Sequence, residues 1–396
     1  MNWIGAAALS EWNASTRRLR SRVDVMLLTH PRDSADLNRA LPWARLLNDH
    51  ERDSLVHLLR PSVAEIVEAP RFTVGLLLLP LLASDIISGS PTSALEIVSQ
   101  GLRMAGAAGA RFVCLGGLTG ALTLYGELIH EEARSLGITI ATGHCATASS
   151  IVHALRRAEH DLRLDVRDGR ATVLGVGSVG AAVARLLVSS ERRPAEMWLV
   201  DRPNRRSRVE RLAAELSRSG TLVRVETTNA DGTLPDTSAC YASQWLVSAI
   251  SVPGIVDIGR VAPNTVLIDD SQPYCWDRVA AWKRCSERQD IAPCDAGLVD
   301  CAAIGYRGLF PFDFADHGPN GSETAWSCVT EGLLCHLVPE LTPTLGEPQL
   351  KHLLEFDEAF GALGLRTPPL QCGEHLLPID ALARSMGDGQ RKVANG

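Results

Sequence analysis

The chain has 396 residues, 45% of them hydrophobic and 21% charged, a balance that excludes a disordered polymer and suits two or three folded domains. Its formal net charge of -7, with no block of like charges long enough to form a tail, argues against nucleic acid as the main partner. The ten cysteines show neither Cys-x-x-Cys spacing nor the Cys/His clustering of a zinc site, so they read as free thiols of a cytoplasmic protein with no structural metal.

Three regions follow one another: 1–150, 151–315 and 316–396. The first opens with a basic stretch from Arg17 to Arg22 and no long apolar core, so no cleavable signal peptide is expected. The greasiest run, Phe72 to Leu82, is broken by Pro80 and too short to cross a bilayer. A helix is predicted over Ser93–Ala108 and a buried strand over Arg111–Leu115, ending at Gly116-Gly117. A helix over Leu124–Leu136 and a strand over Ile138–Ala141 follow. Alternating strands and helices indicate an additional N-terminal α/β domain.

The second region starts near Ile151 with a helix whose apolar face carries Leu155 and Leu162. The strand Ala171–Leu174 then runs into Gly175-Val176-Gly177-Ser178-Val179-Gly180, a helix occupies Ala181–Ser189, and the next strand ends at Asp201. Further strands are expected at Leu222–Val225, Trp245–Ala249 and Thr265–Ile268. This rhythm specifies a Rossmann-type, doubly wound parallel sheet. A GxGxxG alone is a weak signal, but here it lies between a strand and a helix with an acidic residue closing the following strand. Gly175 permits the tight turn, Gly177 clears room for a pyrophosphate, and Gly180 lets helix and strand pack closely. Ser178 and Val179 complete the cradle. Asp201 suits a ribose 2′-hydroxyl and hence NAD, whereas Arg202 and the arginines after it suit the 2′-phosphate of NADP; both readings stand. Ser251 and Asp269 follow later strands at the carboxyl edge, where nicotinamide rings lie, although ordinary turns look the same.

The third region is a C-terminal helical segment. A helix over Glu323–Val338 ends at Pro339, another spans Glu347–Leu363, and the tail after Gly387 reads as frayed. The first helix places Cys328, Glu331, Cys335 and His336 near one face. A thiolate there is a candidate nucleophile with His336 to hold it deprotonated, against the plainer reading of cysteine as a small buried apolar residue.

Taken in order, Leu115 to Thr119, Thr142 to Ala148, the glycine turn, Leu267 to Asp270 with Pro273, and Ser327 to Leu334 resemble the long-chain acyl-[acyl-carrier-protein] reductases, the aldehyde-forming enzymes of cyanobacteria. The likeness covers roughly residues 29–370 as aligned blocks. It implies that Cys328 takes the acyl group from an acyl carrier protein or coenzyme A as a thioester. Hydride from NADPH, with NADH as the alternative, then releases an aldehyde, which a downstream enzyme consumes. It further implies that Thr142 and His144 line the site with Glu331, that Leu76 to Leu82 border an acyl pocket, and that Arg17, Arg18, Arg20 and Arg22 or Arg156 and Arg157 dock the acidic carrier. Two other readings are an amino-acid or shikimate-type dehydrogenase without a covalent intermediate, and a non-catalytic nucleotide sensor. The former needs a Lys or Asp proton-transfer group near the nicotinamide, and Lys283, Lys351 and Lys392 all lie outside the cleft segments.

Overall fold

The structure is a computed structural model that describes residues 22–31, 42–48, 59–308 and 318–394, with isolated positions 38, 51, 54 and 56. Its first sheet is built from β1 (Val25–Thr29), β2 (Ser62–Ala69), β3 (Phe72–Leu78), β4 (Phe112–Leu115) and β5 (Thr139–Ala141) in the order β2-β3-β1-β4-β5. All neighbours run parallel except the β2–β3 hairpin. The centre of this sheet is buried on both faces, which is why β1 and the second half of β3 show no polar alternation. Val25 and Leu27 face one core cluster, while Met26 and Leu28 face a second with Val98, Leu102 and Ala105 of α1 (Pro91–Ala107). Residues Leu76 to Leu79 and Leu81 belong to these cores and do not line the cleft, so the acyl-pocket expectation for this run is corrected.

The helix expected over Leu124–Leu136 is interrupted. Thr123 Oγ1 donates to the Thr119 carbonyl at 2.8 Å and accepts from the Gly126 N–H at 3.1 Å. Leu124 and Tyr125 take positive φ values of 49° and 58°, and regular helix resumes only at α2 (His130–Ser135). The break presents Tyr125 edge-on to His144, with ring centroids 5.1 Å apart.

Helix α3 (His144–Leu162) carries the chain from the first sheet to the second, so the boundary expected at residue 150 falls inside a helix. The second sheet contains β6 (Arg170–Leu174), β7 (Glu196–Asp201), β8 (Leu222–Thr227), β9 (Trp245–Ser248), β10 (Thr265–Asp269) and β11 (Ile291–Asp295). Its order, β11-β10-β9-β6-β7-β8, is parallel throughout and is the doubly wound dinucleotide-binding topology, with the switch point between β6 and β9. Helices α4 (Ser178–Ser189), α5 (Arg206–Leu216) and α6 (Arg278–Arg288) cover it.

The chain then doubles back. Strand β12 (Leu298–Asp300) pairs antiparallel with β13 (Thr324–Trp326), and α7 (Ser327–Leu337) packs on β1, β4 and α3. A Cβ at Gly332 would overlap the Cys114 sulfur, so glycine is what lets α7 lie against β4. Helix α8 (Leu350–Ala362) packs on α3 and α4, and α9 (Ile379–Ala394) on α3 and β11. The C-terminal segment is therefore not a separate helical unit: α7 completes the first domain, and α9 continues through the region expected to fray. No helix among the described residues is long and apolar enough to cross a membrane.

Candidate active site

Gly175 leaves β6 with φ +87°, and a side chain there would run into Ile250 and the Ala249 carbonyl at the switch point. A Cβ at Gly180 would overlap the Gly175 carbonyl oxygen, whereas one at Gly177 would meet nothing within 4 Å. That is a cradle with its floor held tight and its mouth left open. No side chain caps α4, so its first N–H groups remain available to an anion.

Asp201 braces this turn by accepting from the Val176 N–H at 3.0 Å and the Arg202 N–H at 2.7 Å. Arg202 and Arg205 line the same cleft, and neither has an ion-pair partner among the described residues. Ser251 is exposed beside them at the end of β9. Asp269 reaches the cleft wall, but its carboxyl is taken by Ser248 Oγ at 2.6 Å and by the N–H groups of Ser271 at 2.9 Å and Cys275 at 3.2 Å. It holds the 269–275 loop in shape.

The cleft, about 350 Å³, lies between the carboxyl ends of both sheets and the first turn of α7. Its second half is formed by Thr29, His30, Thr142, His144, Asp270 and Cys328. His144 is buried, which pulls its pKa down to about 4 and keeps it neutral. Its Nδ1 lies 2.7 Å from Ser178 Oγ, tying α3 to the glycine turn. The Leu118 N–H donates to His30 Nε2 at 3.0 Å, which leaves the ring proton on Nδ1, 2.9 Å from the Pro31 carbonyl. Thr142, His144, Gly175, Gly177, Ser178, Val179, Asp201, Arg202, Ser251, Asp269 and Cys328 all border this one cleft. Gly180 and Glu331 sit behind its wall.

Helix α7 starts at Ser327, four residues later than its composition suggests, because Trp326 pairs with Leu298 and the Ser327 N–H donates to the Gly297 carbonyl at 2.8 Å. Cys328 therefore occupies the first turn, where N–H groups lack intrahelical partners. Of the ten cysteines, all unpaired, nine are buried and Cys328 alone is partly exposed. Gly143, with φ +81°, passes so close that a Cβ there would lie 2.7 Å from the Cys328 Cα. Burial and then the Asp270 carboxyl push the Cys328 thiol up to about 12, against the backbone N–H groups of Val329 and Cys328. The resting sulfur is a thiol. His336 does not deprotonate it: its Nε2 lies 3.1 Å from the Arg71 carbonyl, and eight residues of helix place it about 12 Å along the axis. Cys335 is buried.

Glu331 is not in the reaction space either. Its carboxyl accepts from the N–H groups of Cys145 at 2.8 Å and Ala146 at 3.4 Å, supplying from another helix the cap that Gly143 cannot give α3. Burial raises its pKa from the usual 4.5 to about 7. The folded state thus holds this proton more tightly than the unfolded chain. The stability contributed is full below about pH 4.5 and is lost as the pH rises through about 7. The total is on the order of 3 kcal/mol. Chemical denaturation at pH 5 and pH 8 is expected to show this loss in the wild type and a much smaller one in Glu331→Gln. Equal losses in the two proteins would contradict it.

Two of the candidate docking arginines are otherwise engaged. Arg156 bonds Glu159, Ser190 and the Arg192 carbonyl, and Arg157 bonds Asp161 and the Thr367 carbonyl. Arg22 is exposed, while Arg17, Arg18 and Arg20 lie outside the described residues. Sequence reasoning missed His30 and Tyr125 as cleft residues, and within the loop from Asp269 to Pro273 it picked Asp269 rather than Asp270. His30 follows a strand too short to register as periodic, and Tyr125 sits in what reads as helix. Asp270 adjoins an aspartate that carries the same signal.

No family model and no curated protein matches the chain. Among solved structures, it resembles L-tryptophan dehydrogenase from Nostoc punctiforme at 10% identity over 96% of this chain and 90% of that one, with a TM-score of 0.37. It resembles shikimate 5-dehydrogenase from Listeria monocytogenes, solved with shikimate and NAD, at 11% identity over 85% and 96%, with a TM-score of 0.35. Against glucose dehydrogenase from Haloferax mediterranei the identity is 20% and the TM-score 0.30, and the match spans only 43% of that enzyme. Likeness at this level carries no inference about what this chain binds or converts.

Proposed function

We propose that this chain is a nicotinamide-dependent oxidoreductase that reduces an acyl thioester to an aldehyde through Cys328. The carrying observation is that the only partly exposed cysteine shares one cleft with the glycine cradle. The turn residues Gly175, Gly177, Ser178 and Val179 with the N-terminus of α4 would hold the pyrophosphate, and Arg202 and Arg205 the adenosine end. Bound there, NAD(P)H supplies hydride. Cys328 Sγ bonds to the acyl carbon as the carrier thioester bond breaks, and the thiol proton leaves with the carrier sulfur. Capture of this kind turns a diffusing acyl group into a fixed one. The Cys328 and Val329 N–H groups, which face the sulfur, would stabilise the oxyanion in this reading.

A second reading, reduction of a carbonyl or its reverse without a covalent intermediate, is favoured by one observation: the Cys328 thiol is pushed up and has no basic partner. The two readings separate when the protein is incubated with octanoyl-CoA, without reductant, and weighed intact. An octanoyl adduct supports capture. Its absence on protein that binds NADPH leaves the non-covalent reading.

Both carboxylate oxygens of Asp201 are held by backbone, while Arg202 and Arg205 have no ion-pair partner among the described residues, so NADPH is expected to bind more tightly than NADH. Arg202→Ala with Arg205→Ala is expected to weaken NADPH about 10- to 100-fold and leave NADH nearly unchanged in fluorescence titrations. Equal weakening of both would remove the arginines from 2′-phosphate recognition.

A further inference from the structure

We propose that Asp270 is the proton donor to the reacting carbonyl oxygen. Hydride delivery to a carbonyl leaves a pair of electrons on oxygen, and some group must protonate it. His144 is neutral and committed to Ser178, and His30 is held by Leu118 and Pro31. Asp269 has its carboxyl occupied three times over. Asp270 differs from all of these: it lines the cleft, and its side chain has no hydrogen-bond or ion-pair partner among the described residues.

Its position is built by the backbone around it. The Asp270 N–H donates to the Ser248 carbonyl at 2.9 Å, fixing the residue at the end of β10. Its Oδ1 rests against Gly297, where a Cβ would overlap it, and the same glycine carbonyl anchors the start of α7 at Ser327. The carboxyl is thereby set beside Cys328, whose thiol feels it more than any other charged side chain. A carboxyl so enclosed, next to the Asp269 carboxyl, is held protonated well above the usual range, first by burial and then by that like charge. The titratable groups that line the cleft with it are Asp269 on its own strand, Asp295 with its partner Arg278 at the end of β11, Cys328 on α7, His30, Tyr125 and His144 across the cleft, Tyr274, and Asp201, Arg202 and Arg205 by the glycine turn. No cation stands among the charges that act on Asp270. A neutral carboxylic acid in such a site donates a hydrogen bond to a developing oxyanion.

The step balances as follows. The carbonyl carbon gains hydride from the nicotinamide, the π pair moves to oxygen, and that oxygen takes the Asp270 proton. On the covalent reading the hemithioacetal then returns its hydroxyl proton to Asp270, and the carbon–sulfur bond breaks. Cys328 leaves as a thiolate and takes a proton from water. The inference rests on the oxidoreductase reading above but needs only its hydride step, so it applies with or without covalent capture.

The test has two arms. Infrared difference spectra between wild type and Asp270→Asn at pH 7 read the protonated-carboxyl stretch without any substrate; a band present only in the wild type is expected. An ionised Asp270 overturns the inference by this arm alone. In the second arm, NADPH oxidation with octanoyl-CoA is expected to fall about 10²- to 10⁴-fold in kcat for Asp270→Asn, with the octanoyl adduct and NADPH affinity retained. Asp270→Glu is expected to restore part of the rate. The wild-type rate is expected to decline at high pH as Asp270 ionises, and that limb to be absent from Asp270→Asn. A variant within a few-fold of wild type overturns the inference, whereas a wild type that does not bind NADPH overturns the oxidoreductase reading instead.

Discussion

Cys328→Ala is expected to abolish the octanoyl adduct and to reduce aldehyde release by at least about 10³-fold, because the variant retains binding but loses the only atom positioned to accept the acyl group. Residue 328 is partly exposed at the cleft wall, so removing one sulfur atom leaves no large core cavity and the fold is expected to tolerate it. NADPH affinity should be unchanged, since the glycine cradle contacts the dinucleotide through other residues. Cys335→Ala is the matched control. That sulfur is buried one turn beyond Glu331 and does not border the cleft, so the adduct should persist. An adduct that survives Cys328→Ala would mean that another residue takes the acyl group, whereas a rate within tenfold of wild type with no adduct would establish the non-covalent reading. The high resting pKa makes pH informative as well: alkylation of Cys328 by iodoacetamide should be slow at pH 7 and rise steeply with pH. Fast alkylation at neutral pH would mean that the thiolate is already present.

Five of the six strands of the second sheet were legible because each is a short run closed by a turn residue, and because the glycine spacing has only one comfortable setting between a strand and a helix, whereas β11 carries Pro293 and was not expected. Elements in the first sheet were harder. β1 is five residues whose two faces are both buried, so it has no alternation to detect. The helix expected over Leu124–Leu136 is broken at its start by the Thr123 hydroxyl, which bonds within one turn, an interaction that local propensity does not announce. At the site, the cradle and Cys328 could be named because their chemistry is tied to residue type. The roles of Glu331 and Asp270 could not. Two carboxylates are separated only by tertiary neighbours: one folds back to cap α3, and the other has no partner among the described residues and lies beside a thiol. Glycines at 143 and 332 likewise gained their meaning from what passes over them, Cys328 in one case and Cys114 in the other.

That distinction sharpens the last prediction, which separates the two halves of the cleft. Gly177→Ala adds a methyl where the protein offers open space, so folding stability should change little and any loss of NADPH affinity reports close approach of the ligand itself. Gly180→Ala instead drives a methyl into the Gly175 carbonyl, which belongs to backbone and cannot swing aside. It is expected to cost about 1–3 kcal/mol in chemical denaturation and to displace α4 from the end of β6. NADPH binding should weaken at least about 100-fold in both variants, for different reasons. If the cleft works as two coupled but separately built halves, the octanoyl adduct at Cys328 should still form in Gly177→Ala, because Gly143 and α7 position that sulfur without help from the turn. Loss of the adduct in Gly177→Ala would instead mean that the glycine turn itself helps to position the thiol.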